Sequence, residues 1–179
     1  HSNLFLTLVA NKNFHLTVKS PGRINLIGEH IDYNGGHVLP AAIDLDMTIR
    51  FKKREGSVCH VSSKAKDEFK FNIYKPLKPK PNNHWANYVL GVINGISKIR
   101  PQQLSAFDCE IESDLPMGSG ISSSAALECG ITFGLNSLFN LNLGKVEQIK
   151  IAQKAEHDFV GTKCGIMDQF AVIMGEEKK

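Results

Sequence analysis

The chain has 179 residues and sets 21 Lys and Arg against 18 Asp and Glu, a net charge of +3 that makes no electrostatic case for nucleic acid. It is 42% hydrophobic and 22% charged, ordinary for a globular domain long enough to bury a sizeable core. No apolar run approaches the ~20 residues of a membrane span, and four scattered cysteines with no CxxC pair argue against a zinc site or a disulfide framework.

The apolar segment "LFLTLVA" at 4–10 is too short to span a membrane and lacks the basic flank of a signal peptide. Phe14, Leu16 and Val18 alternate with His15 and Thr17, a strand pattern. The next stretch, "SPGRINLIGEHIDYNGG" at 20–36, reads as turns crowded with hydrogen-bonding side chains. Met47, Ile49 and Phe51 alternate with Thr48, Arg50 and Lys52, and Phe69, Phe71 and Ile73 repeat the pattern. "SVCHVSS" between them is a weaker strand. Turn-rich "KREG" and "KAKDE" separate the runs, so an antiparallel meander is expected. The basic run Lys52-Lys53-Arg54 reads as a solvated strand end.

"YKPLKPKPNN" is a proline-rich loop. Trp85, Tyr88, Val89, Val92, Ile93, Ile96 and Ile99 then recur at helical spacing, with Pro101 as the stop. Phe107, Cys109 and Ile111 alternate as one more strand. "DLPMGSG" breaks the chain before a small-residue helix over "ISSSAALECGITFGLNSLF". A second helix is expected from Lys145 to Val160. "GTKCG" interrupts before the apolar "IMDQFAVIM". Strands first and helices later place the chain in the α+β class. Cys59, Cys109, Cys129 and Cys164 are expected as buried or partly exposed free thiols, which suits a cytoplasmic protein.

Three constellations carry chemistry. In "PMGSGISSSAA" a strand ends, glycines turn the chain and a helix begins. Gly118 and Gly120 lack a Cβ, so backbone N–H groups could approach an anion, and the helix N-terminus adds partial positive charge. Ser122, Ser123 and Ser124 put hydroxyls in the first turn, suited to phosphate or to a hard cation. A glycine-rich turn whose serines cap a helix explains the loop about as well. The loop lacks the G-K-[ST] ending of a Walker loop, and Ser123 stands where the dinucleotide fingerprint wants Gly or Ala.

Asp168 is flanked by Ile166, Met167 and Phe170, an unusual setting for a solvated carboxylate; it either pairs structurally or serves proton transfer. Glu156, beside Lys154 and His157, reads by itself as an ordinary helix-surface charge. Arg23, Glu29, His30 and Asp32 mix donors and acceptors as a polyhydroxylated ligand requires, though a polar turn with a half-buried His30 would look similar. His37 lies seven residues beyond His30, which is not metal-ligand spacing.

Taken together the motifs resemble those of the galactokinase family, within the superfamily that also holds homoserine, mevalonate and phosphomevalonate kinases. "PGRINLIGEHIDYNGG" is similar to the galactokinase signature. "GSGISSSAALE" is similar to the superfamily's phosphate loop, and "AEHDFVGTKCGIMDQF" to the segment of the catalytic Asp. "WANYVLGVI" adds a further likeness, and the resemblance covers nearly all of residues 14–175.

The resemblance implies a mixed sheet with packed helices, of the type seen in a ribosomal-protein domain. It implies ATP-dependent phosphorylation of galactose at its C1 hydroxyl, with Arg23 and Asp168 as the catalytic pair. Arg23, Glu29, His30, Asp32, Gly165 and Asp168 would contact the sugar. The loop Gly118, Ser119, Gly120, Ile121, Ser122, Ser123, Ser124 and Ala125 would cradle the nucleotide, and Ser123 and Glu156 would ligate Mg²⁺. Residues 1–179 are expected as the N-terminal sugar-kinase domain, completed by a C-terminal half that carries a further glycine-rich motif and an aromatic sugar contact. No nucleic-acid or membrane partner is implied. The rivals are a kinase for N-acetylgalactosamine or another hexose, and a non-catalytic sugar and ATP sensor. Such sensors lose small residues from the phosphate loop, whereas Ser124-Ala125 is intact here.

Overall fold

Where apolar residues alternate, strands form, and their shared inward face collects the core. A computed structural model describes residues 7–9, 14–28, 31–82, 84–116 and 120–176. Its strands are β1 (Thr7–Val9), β2 (Leu16–Asn25), β3 (Pro40–Lys53), β4 (Val58–Ser63), β5 (Lys66–Asn72) and β6 (Phe107–Ser113). They make one mixed sheet in the order β1-β2-β3-β6-β4-β5. The described residues also hold four α-helices: α1 (Ala86–Ile99), α2 (Ser123–Phe139), α3 (Lys145–Ala155) and α4 (Met167–Met174). The α+β reading holds, and no helix among the described residues is long and apolar enough to cross a membrane.

The expected meander forms only in part: β1, β2 and β3 pair antiparallel in chain order and so do β4 and β5, but β3 and β4 are not neighbours. The β4–β5 hairpin is closed by Lys64-Ala65, so "KAKDE" is mostly strand. β6 inserts between β3 and β4, antiparallel to the first and parallel to the second. Parallel neighbours need a crossover, which the segment containing α1 provides. Insertion aligns Ile111 with Ile49 and Cys109 with both Phe51 and Val61, all buried on one face. The alternation of each strand is the same whichever neighbour it takes, so the order is not readable from it.

The opposite face is charged and partly wet. Lys19 meets Asp46 at 3.0 Å, and Arg54 meets Asp108 at 2.6 Å. Arg50 lies 3.1 Å from Glu112, which also pairs with Lys64. These two cations and their hydrogen bonds lower the Glu112 pKa. The helices cover the apolar face. Val89, Val92, Ile93 and Ile96 of α1 are buried, as its spacing predicts, joined by Leu90, while Ile99 at the end of the stripe is exposed. Each of the buried side chains contributes on the order of 1.5–3 kcal/mol. α2 is tied to β2 by Ser20 Oγ, which donates to the Ala126 carbonyl at 2.7 Å.

Two departures matter for the site. β2 does not stop at Val18 but runs on through "SPGRIN", where turns are expected. Its ladder with β3 shifts register between Pro21 and Arg23 and then resumes with Arg23 opposite Ala42. A bulge is where a strand tolerates proline, and it re-aims the side chains beyond it. The helix expected to Val160 ends its α-form at Ala155 and continues as one π turn, Glu156–Val160. Gly161, at φ 89°, closes that turn with its N–H on the Glu156 carbonyl. Single π turns are frequent at functional positions.

Candidate functional site

Arg23 comes off β2 just past the bulge and is buried. Its backbone N–H donates to the Ile121 carbonyl at 3.1 Å, which pins the chain ahead of α2 to the sheet. Its side chain extends the same connection. Nε and Nη2 each lie 2.7 Å from Asp168 Oδ1, and Nη1 donates to the Gly120 carbonyl at 2.7 Å. Asp168 sits in the first turn of α4, with its side chain 26% exposed. It is therefore an ion-paired carboxylate with one open side, and the Arg23 and Asp168 of the sequence reading do come together.

Ser122 completes this cluster in a way the sequence reading did not foresee. It precedes α2 at φ 54°, in the left-handed region, and its hydroxyl makes no cap bond to the helix. The hydroxyl donates instead to Asp168 Oδ2. Each Asp168 oxygen thus has a donor, one from the strand and one from the loop. The loop serine is committed to the carboxylate rather than to a cap. Gly120, at φ 74°, has open space where a Cβ would stand. Ser123, Ser124 and Ala125 follow in the first helical turn, the serines half-buried and Ala125 buried.

Asp32 opens a short 3-10 turn, Asp32–Asn34, ended by Gly35. Gly165 lies directly against it: a Cβ on Gly165 would stand 1.7 Å from Asp32 Oδ2. Met167 N–H lies 3.4 Å from the same oxygen. A cavity of about 640 Å³ adjoins, lined by Asp32, Ala42, Met167, Phe170 and Met174 among others; Arg23 and Asp168 do not line it. That volume is within the range of small-molecule sites. Glu29, His30, Gly118 and Ser119 lie outside the described residues.

The π turn corrects the surface reading of Glu156, which is 7% exposed. Gln169 Nε2 donates to its Oε2 at 3.0 Å, and Cys164 Sγ donates to the same oxygen at 3.2 Å. Burial and the neighbouring Glu156 charge push the Cys164 thiol up to about 12, so it stays a neutral donor. The other three cysteines are buried free thiols, as expected.

Sequence reading missed Glu128. This α2 residue is fully buried, and both its carboxyl oxygens are without a hydrogen-bond partner. Burial first, then the charges of Glu156 and Asp168, push its pKa well up, while the nearby Gln169 amide draws it down. A glutamate at an inward position of a small-residue helix was the available signal. The buried Glu156 carboxylate meets only neutral donors, so a hard divalent cation would offset its charge. Among the described residues no three His, Cys, Asp or Glu side chains group as a metal cage. Mg²⁺ in phosphoryl-transfer sites typically takes one or two carboxylates plus phosphate oxygens, so the residues present fit such an ion.

Comparison with known proteins agrees with this geometry. Residues 87–176, half of the chain, match the family model for the GHMP kinases N terminal domain. Residues 4–53 match the galactokinase galactose-binding signature. The galactokinase of Clostridium tetani is 46% identical over 160 residues, covering 88% of this chain and 40% of that protein. The galactokinase of Thermosipho africanus is 42% identical over 156 residues, 87% of this chain and 42% of its own length. The chain therefore spans about two fifths of these relatives.

Among solved structures, Lactococcus lactis galactokinase complexed with galactose superposes with a TM-score of 0.81 at 38% identity, over 89% of this chain and 42% of that one. Methanococcus jannaschii mevalonate kinase also scores 0.81, at 23% identity, over 92% of this chain and 53% of its own, and shares the fold. With half of the sequence matching that family model and the fold shared with its solved members, the chain belongs to the GHMP kinase family and carries its N-terminal domain.

Proposed function

We propose that the protein containing this chain is a galactokinase, which transfers the γ-phosphoryl group of ATP to the C1 hydroxyl of galactose and releases galactose 1-phosphate. The observation that carries the reading is the Arg23–Asp168–Ser122 cluster, whose Arg23 lies within the segment matching a galactose-binding signature. Residues 1–179 would form the N-terminal domain, and the rest of the protein would close over the nucleotide and sugar.

Phosphoryl transfer depends on positioning and charge neutralisation more than on covalent chemistry. Asp168 would accept the hydrogen bond, and then the proton, of the C1 hydroxyl. Arg23 fixes the carboxylate from one side and Ser122 from the other, so its open edge points one way before substrate arrives. Arg23 also offsets charge near the phosphoryl group in flight. Asp32, with Glu29 and His30, would hold ring hydroxyls, and Gly165 would let the sugar and the Asp32 carboxylate approach closely. The loop from Gly118 to Ala125 would receive the phosphates at the N-terminus of α2. Ser123 and Glu156 would hold Mg²⁺, which supplies neutralisation of the β- and γ-phosphate charge. Four free thiols and ATP as co-substrate suit the cytoplasm.

A coupled assay on the full-length protein tests this. ATP consumption that depends on galactose is the expected result. ATP consumption with N-acetylgalactosamine and not with galactose would replace the proposed substrate. Sugar binding without turnover would make the protein a sensor.

A further inference from the structure

Gln169 is fully buried on α4, one residue beyond Asp168, and three other parts of the fold converge on it. Its Nε2 donates to Glu156 of the π turn at 3.0 Å and lies 3.8 Å from Cys164 Sγ in the following loop. Its backbone carbonyl receives Cys129 Sγ of α2 at 3.8 Å. Glu128, the α2 residue before Cys129, is itself fully buried. Gln169 Oε1 and both Glu128 oxygens nevertheless lack partners.

Such a cluster is a poor choice for stability, since apolar side chains of similar volume would leave no buried acceptor unpaired. Its chemistry suits something else. A lysine or arginine in this place would neutralise Glu156. A primary amide fixes one carboxylate oxygen by hydrogen bonding and leaves the negative charge uncancelled. Cys164, a neutral thiol, does the same to the same oxygen. Two neutral donors on one oxygen define the carboxylate's rotamer and keep its charge for an incoming cation.

We propose that Gln169 is a positioning residue for the metal–nucleotide complex: its side-chain amide, held between Glu156 and Cys164, fixes the Glu156 carboxylate in the orientation in which it receives magnesium·ATP. The inference rests on the reading of Glu156 as a metal ligand. It places Gln169 in the layer behind that ligand, where loss of a partner lowers metal affinity about 10- to 100-fold. It also makes α4 serve both ends of the transfer, with Asp168 facing the sugar and Gln169 steadying the metal side.

The test uses the full-length protein and calorimetry with ATP, with and without Mg²⁺, alongside galactose. Gln169→Met keeps the volume and removes both N–H groups. Should that variant fail to fold, Gln169→Met with Glu128→Met turns the whole buried pair apolar and removes the unpaired carboxyl. In the folded variant the preference for magnesium·ATP over metal-free ATP should fall about tenfold, and galactose affinity should stay within twofold of wild type. Cys164→Ala, which removes the weaker donor, should lower the same preference by a smaller factor.

An unchanged magnesium preference in the Gln169 variants overturns the proposal. Equal losses for galactose and magnesium·ATP also overturn it, because they would show general disruption. No magnesium preference in the wild type overturns it outright. A wild type that binds magnesium·ATP but leaves galactose untouched would sink the sugar reading alone, and the Gln169 comparison would still stand.

Discussion

Gly165→Ala asks whether the contact between the GTKCG loop and the 3-10 turn is part of sugar binding. The added Cβ would stand 1.7 Å from Asp32 Oδ2 and 2.2 Å from its Cγ, where ordinary contact is roughly 3.5 Å. The carboxylate must retreat by about 1.5–2 Å. A hydrogen bond of about 2.8 Å stretched by that much is lost. If Asp32 accepts from a ring hydroxyl, the loss is that of a charge-assisted hydrogen bond, about 1.5–3 kcal/mol. That corresponds to about 10- to 150-fold weaker galactose binding. Gly165 is outside any helix, so the fold should survive. Calorimetry on the full-length protein should show this loss for galactose and little change for ATP. Asp32→Ala should weaken galactose by a similar factor, and the double variant should be no worse than the worse single one, because both remove the same interaction. Galactose affinity within twofold of wild type in Gly165→Ala, with Asp32→Ala impaired, would refute the reasoning: the loop would then yield instead of Asp32. Additive losses would place the two residues in separate interactions.

Asp168→Asn keeps the shape but removes the proton acceptor, so kcat should fall on the order of 10²- to 10⁴-fold while galactose binding holds; near-normal kcat would end the catalytic assignment. Glu128→Gln should stabilise the protein at neutral pH, since a buried acid with a raised pKa favours folding fully only below its unfolded value, about 4.3, and loses that contribution as pH rises toward its folded value. The gap in Tm between variant and wild type should therefore widen from pH 4.5 to 8, and a gap independent of pH would contradict the direction of the shift. Residues 1–179 produced alone should self-associate in sedimentation, because Phe170 (49% exposed) and Ile166 (39%) stand out on the lining of the Asp32 cavity, and should show negligible galactose-dependent turnover; turnover of roughly 1–100 per second would make the remainder of the protein dispensable.

Alternation and helical spacing along the chain were enough to mark nearly every strand core, the α1 stripe and the α+β class, because side-chain periodicity records which face is buried. The resemblance of the motifs also picked out Arg23, Asp32, Gly165 and Asp168, which the structure brings together as two pairs, Arg23 with Asp168 and Asp32 with Gly165. Local pattern ran out where the answer depended on a distant partner. The alternation of β6 is satisfied equally beside β3 or β5, so only the packed sheet decided that it sits between β3 and β4. "SPGRIN" looks like a turn in isolation; pairing with Ala41 and Ala42 across a bulge made it strand. Glu156 carries the flanks of a surface charge, and the π turn, which is set by how α3 meets Gly161 and α4, rotates it into the interior. Ser122 could have capped α2, but its left-handed backbone brings the hydroxyl to Asp168, 46 residues away. Glu128 and Gln169 show the same limit from inside the core: each is a common helix residue in sequence, and only the approach of α2, α4 and the π turn makes them a buried polar cluster behind the site.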